Sequence, residues 1–211
     1  MRFEPDDAMA LANFEALAFS QQPASQPWEP VTDYSLEARW KIEGRHPELI
    51  RDVFQPRSVL DAGCGPTAIL VRLLRALGVR AYGIDVQTSD TSHTAVLDLA
   101  RPIPGTFEWD YDLVICREVL EHLTIRQIRQ AVTNLCALSS RYVYVTTRFH
   151  AAPAHLLDVQ TSDDLDPTHI SLLNQDFLRL LFVLEGFTRR ADLEQRMDWQ
   201  AKGRVLVYER A

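Results

Sequence analysis

The apolar positions of the chain change their period near residue 58. Before that point the pattern is helical. Over residues 6–20, Met9, Phe14 and Leu17 recur at helical spacing, and Asp6 or Asp7 can cap the segment. Residues 21–34 carry Pro23, Pro27 and Pro30 and read as a linker or a loop lying over the domain. A second helical stretch covers about 35–54, with Leu36, Trp40, Leu49, Ile50 and Val53 apolar; Gly44 and Pro47 break it in two. From Ser58 onward, short apolar runs alternate with helical patterns. Strands are predicted at 58–61, 80–85, 95–97, 112–116, 142–147 and 204–208, and helices at 66–77, 124–138 and 174–185. Gly186 can stop the last helix. This alternation predicts an α/β fold, a doubly wound, mostly parallel sheet with helices on both faces. The expected organisation is an N-terminal helical extension or lid over 1–55 and one α/β domain over 56–211.

Composition narrows the partners. The chain has 211 residues, enough to bury a large core unaided, and a net charge of −7 from 22 basic and 29 acidic residues. An acidic chain lacks the overall electrostatic footprint of a nucleic-acid binder. Cys64, Cys116 and Cys136 are odd in number and widely spaced, which argues against a disulfide framework or a cysteine zinc site. The first residues are acidic rather than basic and apolar, and no apolar run approaches the ~20 residues that span a bilayer. A cytoplasmic location is expected.

The most informative stretch runs from Val59 to Thr67. A strand enters a turn at Gly63 and Gly65, and the turn opens a helix. Both glycines allow a tight turn and close backbone approach to a ligand. In a doubly wound sheet such a turn lies at the binding crevice. The glycines alone also fit a dinucleotide site, because Ala68 completes the fingerprint and Asp85 follows Gly63 by 22 residues. Asp61 argues the other way. A carboxylate at the mouth of the turn repels a pyrophosphate and attracts an ammonium or sulfonium.

The segment from Asp61 to Gly65 resembles the first motif of class I, Rossmann-like methyltransferases. Asp85 resembles the acid that ends their second strand, and Val86 then falls in the adenine pocket. Asp98 and Leu99 resemble the pair after the third strand. Residues 113–123, which include Cys116, Arg117, Glu118, Glu121 and His122, are similar to the fourth-strand motif. Residues 166–170 and 185–187 are similar to later motifs, so the resemblance runs from about residue 57 to the C-terminus. It implies a seven-stranded sheet with an antiparallel C-terminal strand, and S-adenosylmethionine as cofactor. The implied cofactor contacts are Asp61, Gly63, Gly65, Asp85, Val86, Asp98, Leu99, Cys116 and Arg117. Cys116 reads as a buried strand residue that offers backbone rather than thiol.

Methyl transfer from a sulfonium is an in-line displacement, and a hydroxyl acceptor must also lose a proton. His122 and His169 are the candidate catalytic residues, since both follow sheet elements where the crevice opens. Either could instead serve as a structural histidine. His46 reads as part of a surface turn beside Pro47, and His93, His150 and His155 fall in loops without a clear signal. Glu118, Glu121 and His122 have the spacing to share one face of a helix start, where they could bind Mg²⁺ or another divalent ion. That spacing resembles the ubiquinone-biosynthesis O-methyltransferases, and also the small-RNA 3′-end 2′-O-methyltransferases, in which a later histidine completes the site. The same motif also occurs without metal, the acids then favouring a helix N-terminus, and no metal ligand is assigned. Arg39 and Arg117 could meet a carboxylate of cofactor or substrate. Trp28, Tyr34 and Trp40 could form a lid or anchor the extension. The expected acceptor is an oxygen of a small molecule or glycan; RNA is the alternative, opposed by the net charge.

Overall fold

In the computed structural model, residues 44–88, 92–104, 110–149, 157–158 and 169–211 are described. Seven strands form one sheet: β1 (Val59–Ala62), β2 (Ala81–Asp85), β3 (Thr94–Val96), β4 (Tyr111–Arg117), β5 (Ser139–Thr146), β8 (Phe187–Arg189) and β9 (Val205–Arg210). Their spatial order is β3-β2-β1-β4-β5-β9-β8. The first five run parallel, while β9 lies antiparallel between β5 and β8. Two short strands, β6 (Leu157–Asp158) and β7 (Leu172–Leu173), pair outside it. The helices are α1 (His46–Phe54), α2 (Ile69–Ala76), α3 (Ile125–Leu138), α4 (Gln175–Leu184) and α5 (Ala191–Met197).

The central strands are buried on both faces, as parallel strands covered by helices must be. Along β4, Val114 and Cys116 join the apolar cluster under α3 and α4, whereas Leu113 and Ile115 join the one under α1, α2 and α5. β5 divides the same way, with Val143 and Val145 against Tyr142 and Tyr144. Helix starts follow their capping chemistry. Thr124 and Gln127 form a capping box before α3, with Thr124 N–H donating to Gln127 Oε1 at 2.8 Å. The Asn174 side chain caps α4 by accepting from Asp176 N at 2.8 Å.

The doubly wound sheet is the architecture the alternation predicts. Three details differ from the sequence expectation. α5 is short and polar, and carries no periodic apolar signal. It is held by Glu194, which is buried and takes Arg189 in a two-point ion pair at 2.6–3.1 Å. β8 precedes it as a three-residue edge strand. His46 does not sit in a surface turn: it opens α1, is buried, and meets the Tyr144 hydroxyl at 2.9 Å through Nε2. Pro47 stands in the first turn of that helix, which needs no N–H from it. The expected helix at 6–20, the 21–34 linker, Trp28, Tyr34, Arg39 and Trp40 lie outside the described residues. So do His150, His155 and residues 166–168.

Candidate active site

The glycine turn after β1 is built by three constraints. Gly63 has φ of +86°, and a Cβ there would lie 2.3 Å from Val119 Cγ2. Gly65 has φ of +70° with open space around it. Gly63 and Cys64 both donate N–H to Ile84 O, at 2.8 and 3.1 Å, which holds the turn against β2. The turn also depends on Gly83, a residue that the sequence pattern does not single out. A Cβ at Gly83 would lie 2.7 Å from Cys64 Sγ, so the thiol packs directly on the β2 backbone.

Asp61 is buried at the end of β1. Asp85 ends β2 and accepts from Gly65 N at 2.9 Å with one oxygen and from Gln87 N at 2.9 Å with the other. The carboxylate therefore shapes the turn. Val86 beside it is 60% exposed. Asp98 accepts from Ala100 N at 2.9 Å and pairs with Arg101 at 3.1 Å. Leu99 is buried in the core, and its carbonyl accepts from Asn134 Nδ2 at 2.7 Å. Cys116 is fully buried, and burial followed by the Glu121 charge pushes its thiol well above the usual range. The thiol stays protonated and unreactive.

At the end of β4 the backbone departs from the helical start that the sequence suggests. Glu118 adopts φ of +51°, and its N–H donates to Thr146 O at 2.8 Å, extending the β4–β5 ladder. A non-glycine residue in that region is strained and is held only by its surroundings. Leu120–His122 forms a single 3₁₀ turn, and α3 begins only at Ile125. Glu118 and Glu121 are therefore not successive positions on one α-helical face.

This turn buries Glu121 completely. Its Oε2 accepts from the Thr147 hydroxyl at 2.7 Å, while Oε1 is buried with no hydrogen-bond partner among the described residues. Burial, then the neighbouring Glu118 carboxylate, raises its pKa to about 8. The Glu121 carbonyl accepts from Ile170 N at 2.8 Å and Ser171 N at 3.0 Å, which brings the 169–171 segment onto the turn. In consequence the His122 and His169 rings meet edge to face with centroids 4.8 Å apart. Ligand atoms of Glu121, His122 and His169 all lie within 4.8 Å of one another. The structure thus joins the two candidate catalytic histidines to a carboxylate. Thr147, which steadies that carboxylate, carries no motif that would reveal it.

Strand order, the crevice at the strand ends and an acid-tied glycine turn define a Rossmann-like nucleotide-binding α/β protein. The sequence profile described as a methyltransferase domain matches residues 38–191, and the chain belongs to that family. It is a methyltransferase, and S-adenosylmethionine is its methyl donor. No curated sequence matches it. Among solved structures it is similar to the magnesium protoporphyrin IX methyltransferase of Synechocystis PCC 6803 with bound S-adenosylmethionine, at 17% identity over all of both chains with a TM-score of 0.53. It is also similar to the sugar N-methyltransferase KedS8 from Streptoalloteichus sp. ATCC 53650, at 14% identity over 89% of this chain and 97% of that one, with a TM-score of 0.59. A third is the plantazolicin methyltransferase BpumL in complex with S-adenosylhomocysteine, at 16% identity over 98% of each chain and a TM-score of 0.53. These likenesses are of fold. No described helix is long and apolar enough to cross a membrane.

Proposed function

We propose that the chain transfers the methyl group of S-adenosylmethionine to an oxygen of a small-molecule or glycan acceptor, with His122 and His169 as the groups that take the acceptor proton. The observation that carries this reading is the contact of the two imidazoles beside Glu121. Nitrogen acceptors with a lone pair need no such base, whereas a hydroxyl does. In the proposed step the acceptor oxygen forms a bond to the methyl carbon as the carbon–sulfur bond breaks. The hydroxyl proton passes to an imidazole nitrogen, and the sulfur leaves as the neutral thioether. Asp61 and the Gly63–Gly65 turn hold the donor, Asp85 shapes that turn and faces the ribose, and Val86, Asp98 and Leu99 border the adenine. The N-terminal extension ahead of α1 covers the acceptor as a lid in this reading.

The donor set also fits a divalent metal, as the two resembled groups imply. The Oε1 of Glu121 is buried without a hydrogen-bond partner among the described residues, and one carboxylate with two imidazoles suits a first-row transition ion better than Mg²⁺. A bound cation there would lower the pKa of an acceptor hydroxyl. This observation favours a second reading, metal-assisted 2′-O-methylation of RNA 3′ ends, which the net charge of −7 opposes. Membership of the ubiquinone-biosynthesis-like group belongs with the first reading.

Calorimetry with S-adenosylmethionine, followed by release of S-adenosylhomocysteine from a panel of hydroxylated acceptors, tests the proposal. His169→Ala should keep donor binding and lose turnover. Turnover confined to amine acceptors, or unchanged in His122→Ala and His169→Ala, would overturn it. Metal analysis and binding of short RNA at low salt separate the second reading.

A further inference from the structure

A cleft of about 340 Å³ opens where β4 and β5 end and β9 begins. Arg117 from β4, Arg148 just after β5, and Lys202 and Arg204 before β9 line it. Glu118 and Asp198 also line it, but both have other contacts. Asp198 accepts from Lys202 N at 2.9 Å and Gly203 N at 2.8 Å, and the Glu118 carboxylate lies close enough to Glu121 to raise its pKa. Among the described residues, Arg148, Lys202 and Arg204 form no ion pair with a carboxylate, and the buried Arg148 Nε has no hydrogen-bond partner. A cationic cleft in a chain of net charge −7 is a local reversal of sign.

We infer that this cleft binds the methyl acceptor through an anionic group, a carboxylate or a phosphate, with Arg148, Lys202 and Arg204 as its counter-ions. Guanidinium groups suit the paired oxygens of either anion. Trp199, 40% exposed, offers the cleft a flat apolar wall for the body of such a molecule. Glu118 belongs both to the cleft and to the turn that carries Glu121 and His122, so an acceptor anchored by its anion reaches toward the histidines. Its Lys202 and Arg204 side lies away from the donor turn, while Arg117 and Glu118 stand on β4, the strand beside β1. β9 is three strand positions from β1, or roughly 14 Å at ordinary strand spacing. That the occupant is the acceptor rests on the methyl-transfer reading; capture of an anion does not.

The test is calorimetry on the full chain saturated with S-adenosylhomocysteine, titrated at low salt with benzoate, phenyl phosphate and neutral benzamide. At least one anion should bind about tenfold or more tightly than benzamide, and Arg204→Gln combined with Lys202→Gln should weaken it about tenfold. Arg148→Gln should act in the same direction. Tighter benzoate identifies a carboxylate acceptor, and tighter phenyl phosphate a phosphorylated one. S-adenosylhomocysteine affinity reports folding in each variant. Equal binding of anions and benzamide, undiminished anion binding in the doubly substituted chain, or competition between anion and S-adenosylhomocysteine would overturn the inference. Failure of the methyl-transfer reading shows separately, as anion binding without turnover on any anionic acceptor.

Discussion

Gly65 donates its backbone N–H to the Asp85 carboxylate at 2.9 Å, so the acid that ends β2 holds the turn that follows β1. In the proposed reading, donor binding and turn geometry are coupled through this one side chain. Asp85→Ala should weaken S-adenosylmethionine binding by more than tenfold, since a hydrogen bond to a charged group contributes about 1.5–3 kcal/mol. Asp85→Asn keeps an acceptor oxygen and should lose less. Calorimetric titration of both variants checks this; equal affinity in Asp85→Ala would remove Asp85 from the donor site.

Gly63→Ala should destabilise the fold by about 1–3 kcal/mol, as overpacking does. Its φ of +86° is unfavourable for alanine, and the new methyl meets Val119 Cγ2 at 2.3 Å. Adding Val119→Ala removes the clash but not the backbone strain, so thermal unfolding should show partial rescue. Full rescue would mean that packing alone requires the glycine.

Glu121 has a folded pKa of about 8 against an ordinary value of 4.5, so the folded protein holds a proton that the unfolded chain releases. The stability linked to that proton is complete below about 4.5 and is lost as pH rises through about 8. In metal-free protein, Glu121→Gln should flatten the decline across this window and melt higher than the parent above pH ~8. The comparison is a pH series of thermal melts in chelator. An unchanged slope would show that Glu121 is ionised in the fold.

Asp112 behaves with the opposite sign. Its carboxylate accepts from Arg57 N at 2.7 Å and from both arms of the Arg57 guanidinium at 2.8 and 2.7 Å. The guanidinium bond and the backbone bond hold its pKa below the ordinary 3.8. The resulting stability is present above that value and lost as pH falls through the lowered one. Because Arg57 is 81% exposed, solvent screens the pair, and Asp112→Asn should cost about 1 kcal/mol at neutral pH. The variant's acid-unfolding limb should be shallower than the parent's.

Much of this was legible along the chain because it depends on near neighbours. Short apolar runs ending in Asp61 and Asp85 mark parallel strands, and Gly63 and Gly65 mark a turn that other residues cannot make. The helix at 125–138 announces itself by its period. These signals are local, and local backbone preference is enough to place β1, β2, β4 and α3 within a few residues. α5 and β8 escaped because segments of seven and three residues are too short to show a period.

Burial and long-range contact were decided only by the tertiary structure. His46 carries a surface signature beside Pro47 but is buried, because α1 packs on β5 and offers it the Tyr144 hydroxyl. His122 and His169 lie far apart in sequence, and they meet because the Glu121 carbonyl captures the backbone of Ile170 and Ser171. Glu121 owes its raised pKa first to the elements that close over it and then to Glu118, its neighbour in the motif. The cationic cleft draws on β4, the end of β5 and the approach to β9, so no stretch of sequence contains it. The sequence disclosed the class of enzyme through motifs that resemble those of class I methyltransferases. Which charges face one another, and which are shut away from water, depended on how distant segments pack.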